Sequence, residues 1–301
     1  MFHSILFPTR EQHGQPRQET EPEYFKDMNL DQIFNPILTP GLAVDPILAR
    51  GRGPEMKSLF FTPLRDPEII TYRQEVLREL EDEELRALVV GFSQTLFDIQ
   101  AFVKMVQDSI SSRSKLRDNY LTRGSLLDCA ERYIEAVDAF AGAYTARTFA
   151  SAGMRAFAEY IRDYCASEHF QAMREHTRVL REELSTVEYC MLIKYGTIRV
   201  RKYEGQSNYA EDILTTFSKF SQAAPHDYRL HLSEEPYDTR MEATVLGMVA
   251  GFYKKIFANL NSFCDKYFAF EDETVERFVT EVQFYLAWLE FIAPIQEKGL
   301  R

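Results

Sequence analysis

The sequence is poor in the residues and patterns that announce most chemistries. Its four cysteines, Cys129, Cys165, Cys190 and Cys264, have no short spacings. That excludes a disulfide scaffold or a zinc knuckle and fits a reducing cytoplasm. No apolar run approaches the roughly 20 residues that a membrane-spanning helix needs. The N-terminus has no long apolar stretch ending in a small-residue cleavage site, so no secretory signal is expected. The 13 glycines never form a phosphate-binding loop, and no nucleophile elbow occurs. Excess positive charge is lacking as well. At a net charge of -11 the chain is excluded as a general nucleic-acid binder, so any contact with DNA requires a local basic patch.

Metal chemistry finds little support. His169 and His176 are seven apart on one predicted helix, with Glu168 and Glu175 beside them. Two turns set the histidines about 10 Å apart, too far to share one metal without other ligands. The Glu-x-x-His spacing of di-metal bundles is missing. Solvated polar residues account for these positions, and no metal or catalytic residue is assigned.

What the sequence does contain is helical periodicity. Leu85, Val89, Phe92, Leu96, Ile99, Val103, Val106 and Ile110 recur at alternating steps of four and three. This is a heptad seam, and it predicts a helix over 82–112 roughly 45 Å long. Similar seams run through Leu126–Tyr144, Met154–Tyr164, Phe170–Leu184, Val245–Tyr267 and Phe278–Ile292. Asp66 and Pro67 supply an N-cap and a first helical residue for a helix beginning "RDPEIITYRQEVLREL". Residues 1–22, rich in Gln, Glu, Arg and Pro, read as a flexible tail. "YFKDMNLDQIFNPIL" reads as a short helix stopped by Pro36, and the prolines and glycines of 39–63 read as a loop passage.

One stretch breaks the pattern. "VEYCMLIKYGTIRVRKYEG", residues 187–205, reads as two strands and a turn at Gly196. "SNYAEDILTTFSKF" follows as a short helix capped by Ser207 or Asn208, and "DYRLHL" alternates as a third strand. The predicted fold is therefore mainly α, an elongated bundle of long lever helices with a small α+β insertion. The helical domain is discontinuous, over 23–186 and 239–301, and the insertion covers 187–238.

The insertion carries the basic patch. Lys194, Arg199, Arg201 and Lys202 stand against Glu188 and Glu204, so 187–205 is locally +2. Thr197, Arg199, Arg201 and Tyr203 share one strand face by period two. Arginine forks and a tyrosine hydroxyl can hold phosphate oxygens without reading base sequence. Arg229 and His231 extend the patch if "DYRLHL" pairs nearby. The same charges also read as edge-strand charges that deter aggregation.

Four stretches, "YFKDMNLDQIF", "FFTPLRDPEIITYRQEVLREL", "YCMLIKYGTIRVRKYEG" and "EVQFYLAWLEFIAPIQEKGL", together resemble the N-terminal region of MutS-like ATPases, relatives of the DNA mismatch repair protein MutS. The resemblance runs from about residue 24 to the end of the chain and lies in the order and coverage of these stretches. It implies lever helices carrying an inserted clamp that contacts the DNA backbone. It also implies a C-terminal ATPase that binds ATP and Mg and supplies most of a homodimer interface. Two departures go with it. The mismatch-reading and connector domains have no room before residue 24, which puts mismatch specificity in doubt. The ATPase is missing, so the chain is expected to be part of a longer protein, with no ATPase activity of its own. Lys194, Arg199, Arg201, Lys202 and Arg229 are then the expected phosphate contacts. The competing expectation is a helical protein-interaction module, with the hairpin offering an edge strand to a partner.

Overall fold

The computed structural model describes residues 2–32, 35, 54–111, 120–194, 197–205 and 238–299. The elements among them are α1 (Arg10–His13), α2 (Glu23–Asp27), α3 (Pro54–Phe61), α4 (Pro67–Leu80), α5 (Glu83–Ser111), α6 (Tyr120–Thr145), α7 (Ala152–Ala166) and α8 (Glu168–Ser185). After these come β1 (Tyr189–Lys194), β2 (Thr197–Lys202), α9 (Asp238–Phe252), α10 (Lys254–Lys266) and α11 (Glu273–Glu297). The chain is mainly α, and its described sheet is a single antiparallel pair.

The heptad seam is the buried face of α5. Leu85, Val89, Phe92, Leu96, Ile99, Val103 and Val106 are all buried. The seam of α6 behaves alike, with Leu126, Ala130, Tyr133, Val137, Phe140 and Tyr144 buried. The start of α4 matches its sequence signal: Asp66 caps it by accepting from the Glu68 N–H at 3.0 Å, with Pro67 in the first helical position.

The residues fall into two compact units. The first comprises Met1–Met105, Asp128–Glu175 and Ala269–Arg301, and the second comprises Val106–Leu127 and His176–Phe268. The division falls inside α5, α6 and α8. The second unit thus takes in more than the insertion expected over 187–238.

An aromatic core holds the first unit. Phe92 of α5 stacks on Phe140 of α6 with ring centroids 3.9 Å apart, and Phe157 of α7 stacks on Phe278 of α11 at 3.7 Å. Burying each such ring stabilises the fold by about 1.5–3 kcal/mol. Length and composition alone would let α11 cross a membrane. Here it is a core helix, with Val275, Phe278, Val282, Tyr285, Glu281 and Gln283 all buried.

The N-terminal residues depart from expectation. Where a tail is expected, Ile5, Leu6 and Phe7 are buried. Backbone groups here find specific partners. The Ile5 N–H donates to Glu281 at 2.8 Å, Tyr285 donates to the Ile5 carbonyl at 2.6 Å, and Tyr72 donates to the Ser4 carbonyl at 2.6 Å. Arg73 Nε donates to the Leu6 carbonyl at 3.0 Å. A short apolar segment, "ILF", can be held this way even though polar residues follow it.

Two further expectations change. Residues 54–61, expected in a loop passage, form α3, with Met56, Leu59 and Phe61 buried. Pro54 opens this helix, where its missing N–H costs nothing. The seam expected from Val245 to Tyr267 is not one helix. Tyr253 leaves the helical region (φ -119°, ψ 46°), and α10 starts afresh after it. Within α9 the buried residues are Val245, Val249 and Ala250, while Met248 and Phe252 of the expected seam are exposed.

Gly153 lets α7 approach α4. A Cβ there would lie 2.9 Å from Tyr72 Oη and 3.2 Å from Val76 Cγ2. Tyr72 is pinned by its bond to Ser4 and cannot yield freely. Gly153→Ala is therefore expected to lower stability by about 1–3 kcal/mol, outweighing the roughly 1 kcal/mol gain in helix propensity. Urea unfolding followed by circular dichroism measures this, and an unchanged or raised midpoint would contradict it.

Candidate nucleic-acid interface

The basic hairpin belongs to the second unit. Its register pairs Tyr189 with Lys202, Cys190 with Arg201, Met191 with Val200, Leu192 with Arg199 and Lys194 with Thr197. Directly paired residues of an antiparallel ladder share a face. Arg199 and Arg201 therefore lie on one face and Lys202 on the other. All three are exposed.

The base of the hairpin is fastened. Tyr203 N–H donates to the Glu188 carbonyl at 3.3 Å, extending the ladder by one bond. The Tyr253 hydroxyl donates to the same carbonyl at 2.7 Å and accepts from the Glu188 N–H at 3.3 Å. Lys202 Nζ lies 5.4 Å from the Tyr253 ring centroid, a cation–π contact. The residue that interrupts α9 and α10 is thus the residue that holds the hairpin. α9 also packs along β2.

This arrangement divides the five expected phosphate contacts. Arg199 and Arg201, two residues apart, are set roughly 6.6–6.8 Å apart along the strand, both outward. Lys202 is turned towards Tyr253, on the opposite face. Lys194 is placed by register at the turn end of β1. Arg229, "DYRLHL" and the helix expected at 207–220 lie outside the described residues, as does the turn at Gly196.

The rest of the second unit is built from helix ends. Gln107 donates to the Phe268 carbonyl at 2.6 Å, and Asn259 donates to the Glu183 carboxylate at 2.7 Å. Tyr120 packs edge-on against Phe257. His176 Nδ1 lies 2.7 Å from the Tyr267 hydroxyl, so this ring is engaged in packing. His169 is exposed. Among the described residues, no group of three His, Cys, Asp or Glu side chains could hold a metal ion. None of the four cysteines, all among the described residues, forms a disulfide.

Two polar clusters in the first unit escape sequence reasoning. In the first, Glu281 is buried, accepting from Ser4 Oγ at 2.8 and 2.9 Å and from the Ile5 N–H, with His13 Nε2 at 3.7 Å. Burial pushes its carboxyl up to about 7. In the second, Tyr160 donates to Asp272 at 2.8 Å, and Tyr133 Oη accepts from the Asp272 N–H at 3.1 Å while sitting 3.3 Å from Tyr164 Oη. Asp272 also caps α11 through the Thr274 and Val275 N–H groups. Burial raises Glu271 to about 7 and raises Glu276. Carboxyls titrating near neutrality mark catalytic candidates. Glu281, though, is spent on anchoring backbone and hydroxyl donors, and Asp272 on starting a helix. The one signal in the sequence was a glutamate inside an apolar helix, "VERFVTEVQFYLAWLEF".

The shift of Glu281 fixes the sign of a pH effect. The folded state keeps the proton up to about pH 7, whereas the ordinary value is 4.5. Between these values the folded state binds more protons than the unfolded chain, so stability falls as pH rises, by on the order of 3 kcal/mol for this group. Glu271 adds to the fall with the same sign. Urea midpoints measured from pH 5 to pH 7.5 should drop in the wild type and drop less in Glu281→Gln. Parallel profiles would contradict the assignment.

No family model, no curated protein and no solved structure matches this chain.

Proposed function

We propose that this chain is the clamp-and-lever region of a MutS-like DNA repair or recombination ATPase. It contacts the duplex backbone through the hairpin and couples it to an ATP- and Mg-binding domain outside the chain. The chain itself is not an enzyme. The longer protein works in the cytoplasm as a homodimer. One observation carries the reading: an exposed arginine pair, Arg199 and Arg201, stands on one face of a fastened hairpin whose neighbours among the described elements include long helices. The resemblance of the four stretches to MutS-like proteins supports it. So do the 29-, 26- and 25-residue lengths of α5, α6 and α11, well beyond the usual 11–12 residues.

Phosphate contacts made this way carry no sequence preference, and their strength comes from released counterions. Lys202 then acts mainly by holding the hairpin on Tyr253. Arg199 and Arg201 carry the phosphate contact, with Lys194 and Arg229 as further cations. A second reading, capture of a partner protein by strand addition, is favoured by Tyr189 and Met191, which are 42% and 49% exposed on the other face.

The test is duplex binding by fluorescence anisotropy across a salt series. Arg199→Ala/Arg201→Ala should weaken binding about tenfold or more at moderate salt. It should also flatten the slope of log K against log salt by about 2, one unit for each lost phosphate contact. An unchanged slope and affinity, with circular dichroism intact, would sink the assignment. Partner capture predicts instead a loss on altering Tyr189 and Met191 that ignores salt.

A further inference from the structure

The first unit contains a cleft that the DNA reading does not use. It has a volume of about 350 Å³ and is lined by residues of α3, the segment after it, α4 and α11, including Phe60, Leu64, Ile70, Leu77, Phe284 and Trp288. These side chains are half-buried. Both the size and the apolar, aromatic lining suit a small organic ligand.

Arg73 forms part of this wall and is only 7% exposed. Its guanidinium sits between two rings, 4.6 Å from the Phe7 centroid and 5.1 Å from that of Phe284. Nε is satisfied by the Leu6 carbonyl, but Nη2 is buried with no hydrogen-bond partner. Of the other polar groups of the wall, Gln74 is exposed, and two are committed elsewhere. Tyr285 donates to the Ile5 carbonyl, and Thr62 Oγ1 accepts from the Gln18 N–H at 2.8 Å. Burial lowers Arg73 to about 10, so it stays cationic at neutral pH. Tyr285 and Glu281 act to raise it, and Arg17 adds a second positive charge. Glu281 is itself raised to about 7 and engaged by Ser4 and Ile5, so it balances that charge poorly.

A buried charged donor without an acceptor is costly, and structures rarely keep one without use. An apolar cleft ending in an unpaired guanidinium has the complementarity of an amphipathic acid. We propose that this cleft binds a small organic carboxylate with a flat or short apolar body, its carboxylate accepting from Arg73 and its body packing on Phe284 and Trp288. The site is independent of the hairpin.

Trp288 is the only tryptophan in the chain, so its emission reports occupancy directly. The probe is 4-phenylbutyrate, with 4-phenylbutanol as its neutral counterpart, titrated into the full chain. The acid should shift Trp288 emission saturably, and the alcohol should bind about tenfold or more weakly, as expected for loss of a charged hydrogen bond. Arg73→Met should abolish the preference for the acid, and Leu77→Phe, which fills the half-exposed wall, should abolish the response to both. A wild type without a saturable response overturns the proposal. So does equal binding of acid and alcohol, or an Arg73→Met chain that still prefers the acid. If Arg73→Met does not melt cooperatively, Leu77→Phe decides alone: a persisting response overturns the site.

Discussion

A carboxylate buried in the last helix holds the first residues of the chain. Glu281 takes the Ser4 hydroxyl and the Ile5 N–H, closing a contact across 277 positions of sequence. Around it, Tyr72, Arg73 and Tyr285 satisfy the carbonyls of Ser4, Leu6 and Ile5 in turn. Buried backbone groups must find partners, and here the carbonyls find theirs in helix side chains, while the Leu6 and Phe7 N–H groups both donate to Ser4 Oγ at 3.1 Å. The packing of α4 on α7 depends on the same network, because Tyr72 is both a donor to Ser4 and the near neighbour of Gly153. The network also shapes the apolar cleft, since Arg73 is held by Leu6 and sandwiched by Phe7 and Phe284.

The hairpin is held by different means. An isolated two-stranded sheet is marginal in water. Here Tyr253 grips Glu188 through both its N–H and its carbonyl, and Lys202 covers the ring. Tyr253 leaves helical dihedrals, though its N–H still donates to the Val249 carbonyl at 3.3 Å and its carbonyl accepts from the Phe257 N–H at 3.2 Å. The division between units falls inside α5, α6 and α8.

Local signals were legible in the sequence, and long-range ones were not. The seams of α5 and α6 could be read because helical period and burial coincide at every step from Leu85 to Val106 and from Leu126 to Tyr144. The Asp66–Pro67 start and the two strands of the hairpin could be read for the same reason, that their causes lie within a few residues. The N-terminal anchor could not. "SILF" is short, its neighbours are polar, and its partners lie some 70 and 280 positions away. The break at Tyr253 was hidden because the residues on either side keep an apolar spacing. The candidate site was half legible. Charge count and period two picked out Arg199 and Arg201, and the same alternation turns Lys202 to the other face; the Tyr253 ring that Lys202 meets there is what no spacing encodes.

The most direct test of the clamp reading is hydrogen–deuterium exchange of the chain with and without a mixed-sequence duplex at low salt. If the hairpin is the DNA-contacting element, amides of β2 and of 203–205 gain protection on adding duplex, and the gain fades as salt is raised. A duplex-dependent change confined to the helices of the first unit, with β2 exchanging as before, would contradict it.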